Sequence, residues 1–140
     1  MIVNFSFSTS VRVRYSETDQ MGYCYYGNYA QFFEVGRVET MRSLGISYKS
    51  LEEDGIMLPV KEFSVNYHSP AYYDDLLTIK TSITEIKGAK IYFSYEVFNE
   101  QNHLICDAST LLVFINKHTM KPIQAPSTFL KLFELSKHVK

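Results

Sequence analysis

Long apolar runs are missing from this chain, as are clustered cysteines, glycine-rich loops and an excess of either charge. No stretch approaches the roughly 20 apolar residues that cross a bilayer as a helix. Met1 to Ser10 lacks a basic leader region, and Asn4, Ser6 and Ser8 interrupt its apolar positions. A cytoplasmic protein with no membrane partner is therefore expected. The two cysteines, Cys24 and Cys106, lie far apart and in no CxxC pattern, which argues against a disulfide framework and a dithiol redox motif. His68, His103, His118 and His138 show no HxxxH spacing and no adjacent cysteine or carboxylate pattern, so no metal is expected. The six glycines are scattered and form neither a P-loop nor GxGxxG, so no phosphate cradle and no cofactor is indicated. A formal net charge of −1 gives no basic surface of the kind a nucleic-acid binder needs.

What remains is a chain of 140 residues, 46% hydrophobic and 21% charged, which suits one compact domain over residues 1–140. Val11, Val13 and Tyr15 alternate with Arg12, Arg14 and Ser16, predicting a first strand with one buried face. From Asn28 to Leu44 the period turns helical, with Tyr29, Phe33, Gly36, Thr40 and Leu44 on one stripe and Gly45 as the stop. Gly36 costs about 1 kcal/mol of helix propensity relative to alanine, and close approach of a sheet explains it. Arg37, beside the stripe, is expected to reach water or to pair with Glu34 one turn back.

Ser47 to Asp54 reads as a short capped helix, and strand patterns follow to Asn116. Leu58 and Val60 are out of phase with Phe63, Val65 and Tyr67, so a bulge is expected near Lys61 and Glu62. Leu77 to Ile83 and Ile91 to Val97 alternate around a Lys87-Gly88 turn, as hairpin strands do. Leu104 to Ile115 is apolar at nearly every position after Asp107, predicting a central strand covered on both faces. Ser127 to Lys137 is an amphipathic tail helix built on Phe129, Leu130, Phe133 and Leu135. One strand, one long helix and four antiparallel strands make an α+β sheet with its helix on one face.

Chemistry concentrates in Thr18 to Tyr29, Thr-Asp-Gln-Met-Gly-Tyr-Cys-Tyr-Tyr-Gly-Asn-Tyr. Asn28 and Gln31 have the spacing of a capping box that opens the long helix. Helix-start amides lack internal acceptors and carry the positive end of the macrodipole, so they can polarise a carbonyl. Asp19, on the turn ahead of them, has two readings. It either bonds backbone N–H groups within the turn, or it acts on the carbonyl those amides hold.

The pattern Asp19-x-x-Gly22-x-x-Tyr25-Tyr26-x-Asn28-Tyr29 resembles the signature of the hotdog-fold acyl-CoA thioesterases, the 4-hydroxybenzoyl-CoA thioesterase and YbgC-like group. Phe32-Phe33-Glu34-x-x-Arg37, Tyr67-x-Ser69-Pro70-Ala71-x-x-Asp74-Asp75 and Lys121-Pro122-Ile123 extend the likeness along most of the chain. The resemblance implies a five-stranded antiparallel sheet wrapped around one long helix, with a C-terminal helix, in a homodimer or homotetramer whose sheets join edge to edge and whose site lies between subunits. It implies an acyl-CoA substrate and no cofactor. Asp19 would be nucleophile or general base, with the Tyr26 backbone N–H polarising the carbonyl. Gly22, Tyr25 and Asn28 would shape the substrate turn, and His68, Ser69 and Lys90 would meet the coenzyme A moiety. Many YbgC-like members have histidine where this chain has Tyr26, so the likeness leans toward the hydroxybenzoyl-CoA type. Glu34 is the other carboxylate to weigh, because another hotdog branch uses one on the long helix. A hydratase of acyl thioesters or a non-catalytic acyl binder on the same fold are the alternatives.

Overall fold

The computed structural model describes residues 1–138, with side chains as far as Glu134; Leu135, expected on the tail helix face, falls outside the described side chains. The chain runs β1 (Ile2–Arg12), a 3-10 turn at Tyr15–Glu17, a second at Tyr26–Asn28, α1 (Tyr29–Ser43), α2 (Tyr48–Glu53), β2 (Ile56–Met57) and β3 (Val60–Tyr67). Then follow β4 (Leu76–Lys87), β5 (Lys90–Phe98), β6 (Leu104–Val113), β7 (Ile115–Asn116) and α3 (Ser127–His138). Five strands form one antiparallel sheet in the order β1-β4-β5-β6-β3. β2 and β7 pair separately, a small sheet that the residue pattern did not suggest.

Strand β1 begins nine positions before the expected Val11. Asn4, Ser6, Ser8 and Ser10, which interrupt the apolar run, form the outer face, while Val3, Phe5, Thr9 and Val11 turn inward. The strand ends at Arg12, so Tyr15 is not in it and stands 78% exposed. The expected bulge is present, as a register shift between Val60 and Glu62 against β6. Strand β6 is interior, but β5 holds the middle of the sheet. Its outer face is covered at Leu111 and open at Ser109, while Ile105, at a register shift against β5, joins the core.

Helix α1 buries Tyr29, Phe32, Phe33, Gly36, Arg37, Thr40 and Met41 against the concave face of the sheet. Phe33 packs on Tyr95 with ring centroids 4.7 Å apart and on Phe63 at 5.9 Å. At Gly36 the helix backbone comes close to β4. A Cβ there would lie 2.4 Å from Thr81 Oγ1 and 3.1 Å from Ile79 Cγ2. Gly36→Ala is therefore expected to lose about 1–2 kcal/mol, overpacking outweighing the gain in helix propensity. A lower urea midpoint at unchanged slope would register it, and a midpoint at or above wild type would refute the close approach.

Two expectations for α1 need correction. Asn28 has helical dihedrals (φ −78, ψ −18) and makes no side-chain cap bond, so the Asn28–Gln31 capping box is absent. The preceding 3-10 turn carries the helical run back to Tyr26, and the Asn28 side chain instead donates its Nδ2 to Glu17 O at 2.8 Å. Arg37 neither reaches water nor pairs with Glu34. It is 8% exposed, and its Nη1 donates to Tyr95 Oη at 3.2 Å.

Candidate active site

The turn carrying Asp19 is held from three sides. Cys24 N donates to Ala71 O at 2.7 Å, Tyr25 N to Glu17 O at 2.8 Å, and Asp19 N to Tyr23 O at 2.9 Å. Gly22, at φ +81, accepts the left-handed geometry that closes the turn; its own N–H donates to Asp19 O at 2.9 Å. Glu17 is buried at the back and accepts from Arg14 N at 2.7 Å.

Both readings of Asp19 have a place in this geometry. Oδ1 accepts from Met21 N at 3.0 Å and Tyr23 N at 3.2 Å, the arrangement of an Asx turn. Oδ2 has no hydrogen-bond partner among the described residues. One oxygen thus shapes the turn and the other remains available.

Asp19 borders a cavity of about 300 Å³ whose wall is mostly apolar and aromatic, including Tyr26, Tyr29 and Tyr67. The N–H groups of Tyr26 and Gly27 start the helical run and have no acceptor among the described residues. They are the orphan donors expected of a helix start, placed three residues earlier than the sequence pattern suggested. The Tyr26 carbonyl accepts from Tyr67 Oη at 3.3 Å, which ties the helical start to the end of β3. Tyr25 folds over Gly27, where any Cβ would come 2.7 Å from the Tyr25 ring.

His68 and Ser69 line the same cavity. Lys90 does not. It lies at the opposite end of the sheet, seven residues along β5 from Val97, which pairs through Cys106 to Tyr67, roughly 23 Å at strand rise. Glu34 is exposed on α1 and absent from the cavity wall. Met21, Tyr23, Cys24 and Tyr29 line the cavity without having been singled out as site residues. Their position inside the Asp19 motif was the available signal.

Burial of two thiols beside this site fixes a pH response. Burial, followed by the charge of Glu17, pushes Cys24 from 9.0 to about 11. Burial, followed by Asp107, pushes Cys106 from 9.0 to about 12. Between those values the folded state keeps protons that the unfolded state has released, so stability must fall as pH rises. Equilibrium denaturation is expected to give a constant contribution from these thiols below pH 9 and a progressive loss from 9 towards 12. A denaturation midpoint flat across that window would contradict it.

An antiparallel five-stranded sheet packed around one long helix defines a hotdog fold, with Asp19 and Tyr26 bordering one apolar cavity. Residues 21–106 match the family model described as thioesterase superfamily, and the chain belongs to that family. It is 33% identical over 128 residues to the acyl-CoA thioester hydrolase YbgC of Escherichia coli, covering 91% of this chain and 96% of that one. The acyl-CoA thioesterase YbgC of Haemophilus influenzae is 36% identical over 122 residues, 86% and 88% of the two chains. Among solved structures, the DHNA-CoA thioesterase from Staphylococcus aureus superposes with a TM-score of 0.90 at 33% identity, covering 96% of this chain and 93% of that one.

Proposed function

We propose that this chain hydrolyses an acyl-CoA thioester to the free acid and coenzyme A. The observation that carries the reading is the second oxygen of Asp19, unpartnered at an apolar cavity that is also lined by Tyr26, whose N–H, like that of the adjoining Gly27, has no acceptor among the described residues. A thioester carbonyl is electrophilic and its thiolate leaves readily, so an ionised carboxylate and oriented N–H donors suffice. The Tyr26 and Gly27 amides would hold the carbonyl oxygen as negative charge develops on it. Asp19 would take a proton from water attacking the carbonyl carbon, or attack that carbon itself and form an acyl intermediate that water then cleaves. The apolar wall suits the acyl group. The YbgC relatives and the Staphylococcus aureus structure carry names for hydrolysis of this kind of bond.

The same reading includes self-association. Strand β3 is an edge strand and exposes Val60, Phe63 and Tyr67 to nearly half their surface, an apolar edge that a second copy would cover. Lys90 would reach coenzyme A only from such a second copy. A cytoplasmic location accords with two buried free thiols.

Release of free thiol from a panel of aliphatic and aromatic acyl-CoAs tests the proposal. Turnover of at least one member at a rate far above the uncatalysed reaction is expected. Tight binding without release would make the chain a binder.

A further inference from the structure

The helical start at the cavity is held from two sides. Towards the Asp19 turn, Tyr25 N and Asn28 Nδ2 both donate to Glu17 O, each at 2.8 Å. From the sheet, Tyr67 reaches it at the end of β3, where its Oη donates to Tyr26 O at 3.3 Å. The same carbonyl accepts from Tyr29 N, the first bond of the helical run, and its two lone pairs accommodate both donors. The Tyr67 ring is seated against the same segment, edge-on to Tyr26 with centroids 6.4 Å apart and to Tyr29 at 5.5 Å. All three rings line the cavity that Asp19 borders. Burial, then Cys106 and Tyr26, push the Tyr67 phenol above its ordinary value, so it keeps its proton at neutral pH and is the donor in this bond.

Helix-start amides have no partners within the helix, and the first turn frays unless something outside it supplies support. Such donors stabilise a developing oxyanion most when they need no rearrangement as charge appears. A peptide unit is planar, so a bond that fixes the Tyr26 carbonyl also fixes the plane it shares with the Gly27 N–H, and with it the Tyr26 backbone. We propose that Tyr67 is a positioning residue for thioester hydrolysis, its hydroxyl holding the helical start so that the amide donors meet the reacting carbonyl already in place. The inference rests on the thioesterase reading and adds to it a residue from β3, remote in sequence from the Asp19 turn. In this role Tyr67 acts through Tyr26 and exchanges no proton with the substrate.

Tyr67→Phe tests this, since it keeps the ring contacts and removes the hydroxyl alone. On an acyl-CoA that the wild type cleaves, kcat is expected to fall about 10-fold with KM close to wild type. In the same variant without substrate, hydrogen exchange at the Tyr29 amide should quicken several-fold as the helical start loosens. The denaturation midpoint should stay near wild type, because the lost bond is exposed. Undiminished kcat or a rise in KM alone would overturn the proposal. So would a lower kcat with unchanged Tyr29 exchange, which would make the hydroxyl a direct donor to the substrate. In each of those cases a turnover that Asp19→Asn abolishes would leave the thioesterase reading standing. A wild type that cleaves no acyl-CoA would overturn that reading, and this inference with it.

Discussion

Asp19→Asn is expected to lower kcat on the best acyl-CoA by about 10³-fold or more, while leaving stability close to wild type. The two effects separate because the two carboxylate oxygens do different things. An asparagine carbonyl can accept from Met21 N and Tyr23 N as Oδ1 does now, so the turn and the amides it presents should persist. What it lacks is the basic, nucleophilic oxygen at Oδ2. Asp19→Ala should lose both functions, costing roughly 1–2 kcal/mol for the two turn hydrogen bonds as well as the turnover. The pair therefore distinguishes a carboxylate that reacts from one that only shapes the loop. Asparagine with undiminished turnover, or alanine and asparagine equally destabilised, would return Asp19 to a purely structural role.

The sequence made the layers of this fold readable wherever side-chain period reported burial. Leu77 to Ile83 on β4 and Ile91 to Val97 on β5 alternate cleanly, with a register slip between Ile83 and Glu85 ahead of the Lys87-Gly88 turn, and the phase slip between Val60 and Phe63 marks a bulge that the register confirms. The outer face of β1 is serine and asparagine, residues that look like loop when a run is judged by continuity, so the pattern suggests a strand shorter than the real one. Judged by alternation, Val3, Phe5, Thr9 and Val11 carry the same period as the rest of the strand. The site was legible as a motif but not in its atoms. Asn28 has a good capping residue's chemistry, yet its side-chain Nδ2 is drawn to Glu17 O, eleven residues back in sequence, a tertiary bond that no local rule contains. The bond from Tyr67 to the Tyr26 carbonyl likewise spans 41 positions and follows only from the placing of β3 beside the helical start.

Arg37 poses the complementary problem, a charge whose burial the helix pattern did not indicate. Its guanidinium sits under α1 with one hydrogen bond, to Tyr95 Oη, which in turn shares a 2.7 Å bond with Thr110 Oγ1. Arg37 Nε and the buried Tyr48 hydroxyl have no hydrogen-bond partner among the described residues. Burial works against the charge most strongly, but Tyr95 and Tyr48 together outweigh it, so Arg37 stays protonated. Burial likewise pushes Tyr95 up to about 12, with Arg37 pulling the other way, so the phenol remains neutral and its oxygen free to accept.

Removing that oxygen strands the cation. Tyr95→Phe is expected to cost about 2–4 kcal/mol, because a buried charge loses its acceptor with no route to water. At this chain length that is a fall of about 6–12 °C in Tm. Arg37→Met removes the charge itself and fills similar space, so its effect should stay within about 1 kcal/mol in either direction. In the double variant the loss of the Tyr95 hydroxyl should then cost far less than in the wild-type background, a coupling of about 2 kcal/mol between neighbours. Additive losses would mean that Arg37 finds its solvation elsewhere, and a Tyr95→Phe variant as stable as wild type would remove the hydroxyl from any part in holding the cation.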